Sequence, residues 1–309
     1  MNTGRLLAAR HHVPMFMMKN SSSSSLPNGD LSALSAAGTE GVALCTIVNI
    51  EGSFSRRMGA QLAVTRDGLT IGSLSDGCLE MQLATEVGKA RGRQEKRLLR
   101  FGRGSPFIDF RLPCGSGLDI LVDPAPDVRS ILLALDRLER RMETALDLPL
   151  PLDAPVEFLR IRHYVPPLRI MLFGEGPELA SLVTMASAIG IDVQSFDKQS
   201  NDMALGRVPG EIAADPWTAI ILLFHDHEWE RALLGWAMRT SAFYIGAQGG
   251  ARAREDRVTG LQRQGFAQDA IERVRSPIGL IRHARDPVVL TLSVLAEIVA
   301  EYEARHPHM

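Results

Sequence analysis

The 309-residue sequence predicts an α/β protein in two parts: an α+β domain that carries the cysteines, then a doubly wound parallel sheet. Three observations predict it. Strand-like runs in the first 125 residues sit close together around an Asp-Gly turn, which favours antiparallel pairing. From residue 167 strand-like and helix-like runs alternate, which favours parallel strands with crossover helices. Between them lie one helical run and the Pro-rich stretch LPLPLDAP (148–155), a natural boundary. The expected divisions are 1–40, 41–125, 126–166 and 167–309.

The elements follow in order. Residues 1–40 read as a disordered extension, with a serine run at 21–25 followed by LPNGD. The first 20 residues have no continuous apolar core of a secretory signal. An organelle address and an over-extended start both remain open. VALCTIVNI (42–50) is β-branched and apolar, and EGSFSRRMG breaks it. AQLAVTRDGLTIGSL (60–74) reads as strand, turn, strand. LEMQLATEVGKA is a short helix; KRLLRF and LDILVDP are strands, and the domain closes near Pro124. Residues 127–147 read as one amphipathic helix through Ile131, Leu132, Leu135, Leu138, Met142 and Leu146. LRIMLF, IDVQSFD, AIILLF and AFYIG are the later strands, and a last helix spans about 288–304 with Leu292, Leu295 and Val299 on its core face.

Composition excludes several classes. Hydrophobic residues make up 45% and charged residues 23%, a globular balance. The net charge of −2 gives no basic field for nucleic acid or an anionic membrane. No apolar run reaches membrane-span length. Three cysteines are an odd number and no disulfide framework, so a reducing cytoplasm is the expected setting.

In the second half, Gly174 and Gly176 follow a strand and open a helix, and Asp197 ends the next strand. That is the spacing of a Rossmann turn and its ribose-binding acid. Leu179 stands at the third glycine position, and Glu175 and Glu178 would oppose a pyrophosphate. An NAD(P)-binding turn and a Rossmann-shaped turn without tight NAD binding both fit. His225, Asp226 and His227 lie past the third strand, where they could bind metal, exchange protons or simply be loop residues. YIGAQGG, with Tyr244 and Gly246, repeats the theme at the fourth.

In the first half, Cys78 follows Gly72, Ser73, Ser75, Asp76 and Gly77, and Cys114 precedes Gly115 and Gly117. Gly/Ser loops can expose backbone amides to anions. A cysteine at a helix N-terminus has its thiolate favoured by the dipole. Each cysteine singly reads as a buried inert thiol; the pair, with shared loop chemistry, reads as functional. Cys45, mid-strand, reads as core.

The ordered motifs EGSFSRRMGAQLAV, GSLSDGCLE, LPCGSGLDILVDP, IMLFGEGPEL, FHDHEWE, YIGAQGG, SPIGL and LSVLAEIVA resemble the XdhC/CoxI family, accessory factors of xanthine dehydrogenase and related molybdenum hydroxylases. The resemblance spans about residues 41–302. It implies a cysteine-bearing N-terminal domain and a Rossmann-like C-terminal one. It also implies transient binding of molybdenum cofactor, as molybdopterin or its dinucleotide, and support for its sulfuration and insertion. The implied partners are a molybdenum hydroxylase apo-enzyme, a cysteine desulfurase and a second copy of the chain. Cys78 and Cys114 would face the molybdenum end, and the crevice near Gly174, Asp197 and His225 the pterin or nucleotide. Asp76 replaces a family glycine; Leu179, Phe224, Gly250, Ala251, Arg252, Ile281, Arg282 and His283 also depart from the pattern. The competing readings are an NAD(P)-dependent oxidoreductase, on the GxG turn and Asp197, and a scaffold that contacts a partner without cofactor.

Overall fold

The computed structural model describes residues 29–75, 77–93, 95–105, 115–199, 203–210 and 212–306. The first half is an antiparallel sheet of β1 (Ala43–Glu51), β2 (Gln61–Val64), β3 (Thr70–Gly72), β4 (Arg97–Gly102) and β5 (Gly117–Asp123), in the order β3-β2-β1-β5-β4. The expected hairpin is β2–β3, turning at Asp67-Gly68, where Gly68 takes φ +85°. Alternation along β1 sorts the two faces. Cys45 and Ile47 pack with Leu79, Leu83 and Val87 of α2 (Cys78–Arg93). Leu44 packs with Leu34 of α1 (Gly29–Ala37) and Ile131 of α3 (Val128–Glu139).

α1 corrects the expectation that residues 1–40 form a disordered extension, for 29–37 at least. Ala33, Leu34 and Ala37 are fully buried. Asp30 accepts from the Gln61 backbone N–H (3.2 Å) and from Arg162 (2.9 Å). The polar run before this segment hid three apolar residues on one face of a short helix.

The connector differs too. α3 ends at Glu139, because Arg141 turns left-handed at φ +62°. β6 (Thr144–Asp147) then pairs antiparallel with β7 (Ile161–Tyr164). Leu146 therefore belongs to a strand, not to the helix its spacing suggested. The Pro-rich stretch is no free linker: Leu148 and Leu150 pack against Val48, Leu121 and Phe158.

The second half is the doubly wound sheet. β8 (Arg169–Gly174), β9 (Asp192–Asp197), β10 (Thr218–Leu223), β11 (Tyr244–Ala247) and β12 (Val274–Arg275) pair in parallel in the order β9-β8-β10-β11-β12. β12 was not foreseen, because two residues carry no period. α4 (Gly176–Ala188) and α8 (Pro287–Glu303) cover one face; α5 (His227–Ala237), α6 (Ala251–Arg263) and α7 (Gln268–Ile271) complete the unit. The strand order reverses between β8 and β10, the switch point at which open α/β sheets take ligands.

The halves meet at the amino end of the parallel strands. Arg141 grips Asp215, just before β10, at 2.6 and 3.1 Å, and donates to the Pro167 carbonyl at 2.6 Å. Arg57 pairs with Glu303 at the end of α8 at 3.0 Å. No helix among the described residues is long and apolar enough to cross a membrane.

Candidate functional site

Pairing register puts three loops at one end of the first sheet. Gly72 ends β3, Glu51 ends β1 opposite Gly117 of β5, and Gly102 also faces Gly117. The loops that leave there carry EGSFSRRMG, the approach to Cys78, and the chain leading to Gly115. Arg56 joins two of them, donating to the Ser73 carbonyl at 3.2 Å and its hydroxyl at 3.3 Å. Ser116, buried, donates to the Ser53 carbonyl and joins the third. Cys114 and Asp76 lie outside the described residues.

Cys78 is a free, exposed thiol on the first residue of α2. Cys45 is the buried counterpart, and burial pushes its thiol up to about 12. The loop before Cys78 is organised by Glu80, which sequence reasoning missed. Its Oε1 accepts from the backbone N–H groups of Leu74 (2.7 Å) and Ser75 (2.6 Å), and its Oε2 from Gly77 (2.8 Å). The Glu80–Gly77 bond is the carboxylate half of a capping box, and the spacing G-x-x-E was a legible signal for it. Burial raises the pKa of this carboxyl, but the backbone hydrogen bonds outweigh it and hold it below the usual carboxylate range. One expectation is thereby corrected. The amides of Leu74, Ser75 and Gly77 do not form an open anion nest; a resident carboxylate already occupies them. What this end offers a ligand is an exposed thiol with the Arg56 guanidinium beside its loop.

At the switch point the expected crevice is narrow. A Cβ on Gly174 would lie 2.5 Å from the Leu223 carbonyl oxygen, so Gly174 lets β8 and β10 close together. Gly176 takes φ +84° as α4 opens, and Glu175 pairs with Lys198 at 3.2 Å. Lys198 lies 5.2 Å over the Trp229 ring, which stacks on buried Phe224. Asp197 is exposed and accepts from its own turn, at the Gln199 N–H (2.8 Å). Glu178 Oε2 is buried without a partner at the head of α4, where a pyrophosphate would sit.

The histidine loop has two layers. Asp226 caps α5 by accepting from Glu228 N–H at 3.1 Å, and His225 is exposed. His227 Nδ1 lies 3.3 Å from Glu230, a buried acid that Arg257 holds bidentately at 2.7 and 2.8 Å. Arg257 also donates to Ser276 Oγ at 2.7 Å. This pair went unseen because its members lie 27 residues apart on two helices. A groove of about 730 Å³ runs over it between α5 and α6. No group of three or more His, Cys, Asp or Glu among the described residues could hold a metal.

Tyr244 and Gly246 do not join the crevice. Tyr244 is buried with its hydroxyl on Glu297 of α8 at 2.8 Å, and a Cβ on Gly246 would meet the Tyr244 ring at 2.6 Å. These residues pack β11 against α8 and Ile278. Nor does one chain bring its thiol loop to its switch point. The first half docks at the amino end of the parallel sheet; Gly174, Asp197 and His225 mark the carboxyl end.

Known proteins match both halves. A model described as the XdhC and CoxI family matches residues 35–102, and one described as the XdhC Rossmann domain matches residues 170–298. The chain belongs to the XdhC and CoxI family. Among its relatives, the molybdenum cofactor insertion chaperone PaoD of Escherichia coli (strain K12) is 32% identical over 272 residues, 84% of this chain and 83% of that one. A Bacillus subtilis (strain 168) protein described as a probable xanthine dehydrogenase component is 22% identical over 314 residues, 84% of this chain and 93% of that one. A crystal structure of a xanthine dehydrogenase from Bacillus halodurans superposes with a TM-score of 0.69 at 19% identity, covering 90% of this chain and 97% of that one, which shows the shared fold. The first match covers β1 to β4 and ends before β5, the second runs from β8 into α8, and the connector with α3, β6 and β7 falls between them.

Proposed function

We propose that this XdhC protein binds molybdenum cofactor transiently and hands it to a xanthine dehydrogenase-type apo-hydroxylase in the cytoplasm. The observation that carries the reading is the exposed thiol of Cys78, presented by a Glu80-braced loop beside Arg56 in a chain 32% identical to a cofactor insertion chaperone. A thiolate suits a soft metal centre, and a guanidinium suits the cofactor's phosphate. The donor set therefore fits the cargo. Cys78 supplies a ligand that can be exchanged, Cys114 a second, and Arg56 orients the anionic tail. The carboxyl-edge loops near His225 serve the pterin or nucleotide end. Sulfuration, with a cysteine desulfurase as sulfur donor, belongs to the same reading.

The test is metal and pterin content. Protein purified from a molybdate-fed host should carry molybdenum and pterin in equal amounts, and Cys78→Ala should lose most of both. Absence of both from the wild-type chain, with hydroxylase activation unchanged in Cys78→Ala and Cys114→Ala, refutes the proposal.

A further inference from the structure

The chain leaves apolar surface uncovered both outside and within. On α8, Leu292 is 55% exposed, although its spacing predicts core. Between α3 and the first sheet, apolar walls enclose a cavity of about 450 Å³ with a polar floor. Its origin is local. α3 buries Ile131, Ala134 and Leu138, and the small Ala134 stands between the larger two without filling the layer. The chain then turns at Arg141 and returns as β6, so Leu146 forms a third wall instead of a further helical turn.

The sheet supplies the floor. Thr46 of β1 stands opposite Gln61 of β2, and both are buried. Gln61 Nε2 donates to Thr46 Oγ1 at 3.0 Å, and the Tyr164 hydroxyl of β7 donates to Gln61 Oε1 at 2.8 Å. The three side chains carry four protons that can be donated, one on each hydroxyl and two on the amide. The two bonds use two of them. Turning the amide end for end changes which protons are used but not how many, so two remain. They meet no acceptor among the described residues. Buried donors without an acceptor are costly, so this floor calls for a guest that accepts.

An acceptor stands near the mouth. Register sets Asp123 of β5 opposite Leu44, two residues from Thr46 on the same face. Diagonal places on one face lie about 7–8 Å apart, roughly the span of a two-ring heterocycle. Asp123 Oδ1 accepts from the Ala125 N–H at 3.1 Å and Oδ2 lies 3.5 Å from Lys96, which leaves the carboxylate lone pairs to offer. Leu44, Leu121 and Ile131 wall the space between.

We propose that this cavity binds an uncharged two-ring heterocycle with a ring carbonyl on one edge and a ring N–H on the other, as in a free oxopurine or pterin. The carbonyl accepts from the floor, the N–H donates to Asp123, and the ring faces lie against the aliphatic walls. A hydrocarbon would leave the floor protons unmet. A phosphate ester would bring negative charge to Asp123, Asp127 and Asp147, which outnumber Lys96 and Arg137 on the lining. The site also adjoins the junction of the halves. Tyr164 leads into Val165, part of the second half's core, and α3 runs on to the Arg141 clamp. A bound ring therefore braces the connector. The inference stands independently of the cofactor reading at Cys78.

Calorimetric titration of the full chain tests it, with hypoxanthine and pterin as probes. Indole, which has two rings and the N–H but no carbonyl, is the control. At least one of the first two should bind with Kd about 1 mM or tighter, and about 10-fold or more tighter than indole. The tighter of the two names the source. Thr46→Val should weaken that ring about 10-fold and leave indole unchanged. Ala134→Phe should fill the cavity and abolish binding; if urea unfolding shows that this variant does not fold, Thr46→Val decides alone. Failure of both rings to bind, binding indifferent to Thr46→Val, or indole binding as tightly overturns the proposal. Cys78→Ala should bind the ring as the wild type does. Lost ring binding in that variant would place the ring at the thiol end and overturn the cavity site, while molybdenum content, read separately, bears on the proposed function alone.

Discussion

Replacing Glu80 tests the organisation of the Cys78 loop. Glu80→Ala removes the acceptor for three backbone N–H groups at 2.6–2.8 Å. Bonds to a charged acceptor are each worth about 1.5–3 kcal/mol net. They do not simply add here. Leu74 is fully buried, so its N–H stays unsatisfied. Ser75 is half-buried and Gly77 exposed, so water can take up much of what they lose. Adding about 1 kcal/mol for the lost cap gives a destabilisation of about 2–4 kcal/mol. Glu80→Gln keeps one oxygen for Leu74 and Ser75 and loses the Gly77 bond, so it should cost about half as much. Urea denaturation measures the change, and the rate of Cys78 modification by a thiol reagent reports the loop and should rise in Glu80→Ala. The pH dependence has a definite sign. The folded-state pKa lies below the unfolded one, so this stabilisation is full above the unfolded carboxylate range of about 4.3 and is lost as pH falls through the folded value. Stability and thiol reactivity within error of wild type in Glu80→Ala would refute the bracing role.

Arg257→Ala should cost about 3–5 kcal/mol in urea denaturation, because it strands the buried Glu230 carboxylate. Asp215 has its pKa raised by burial and lowered more strongly by the Arg141 bond and other hydrogen bonds, giving a net decrease. The Arg141 clamp should therefore be intact at neutral pH and fail as pH drops below about 4, seen as faster proteolysis between the halves, with Asp215→Asn showing the same at pH 7. NADH fluorescence should show no micromolar binding to the wild type, since Glu175 and the unpartnered Glu178 oxygen face the head of α4. Tight binding with redox turnover would restore the oxidoreductase reading.

Periodicity made most of the fold legible. β1, the β2–β3 hairpin and the alternating second half all carry repeats of two or of 3.6 long enough to read. The failures share a cause. Leu146 continues the helical spacing of α3, yet Arg141 breaks the helix through a tertiary clamp on Asp215, which no local pattern announces. α1 is held by Asp30 reaching Arg162, 132 residues away. The site was legible where its chemistry is local: Cys78 at a helix start, and Glu80 three residues after the Gly77 cap. It was illegible where it depends on which face a residue takes. Tyr244 stands on a motif that looked like a ligand loop, but the strand turns its ring to α8.

The departures from the family pattern fall unevenly on these two kinds of residue. Leu179, at the third glycine of a dinucleotide turn, is buried in the core between α4 and the sheet. The glycine at that place lets helix and strand approach closely. A leucine there fills the same layer with a side chain, so the exchange preserves the fold while altering the turn. Phe224 likewise is buried and stacks on Trp229, walling the carboxyl edge with aromatic surface. In the described part of the braced thiol loop, Cys78 stays exposed, and the glycine before it takes a left-handed φ of +99°. Of the departures in the Rossmann half, Leu179 and Phe224 thus pack inward, whereas Arg252, Ile281, Arg282 and His283 face solvent. Among the described residues of the first half, the Cys78 thiol stays open, as the proposed cofactor transfer requires.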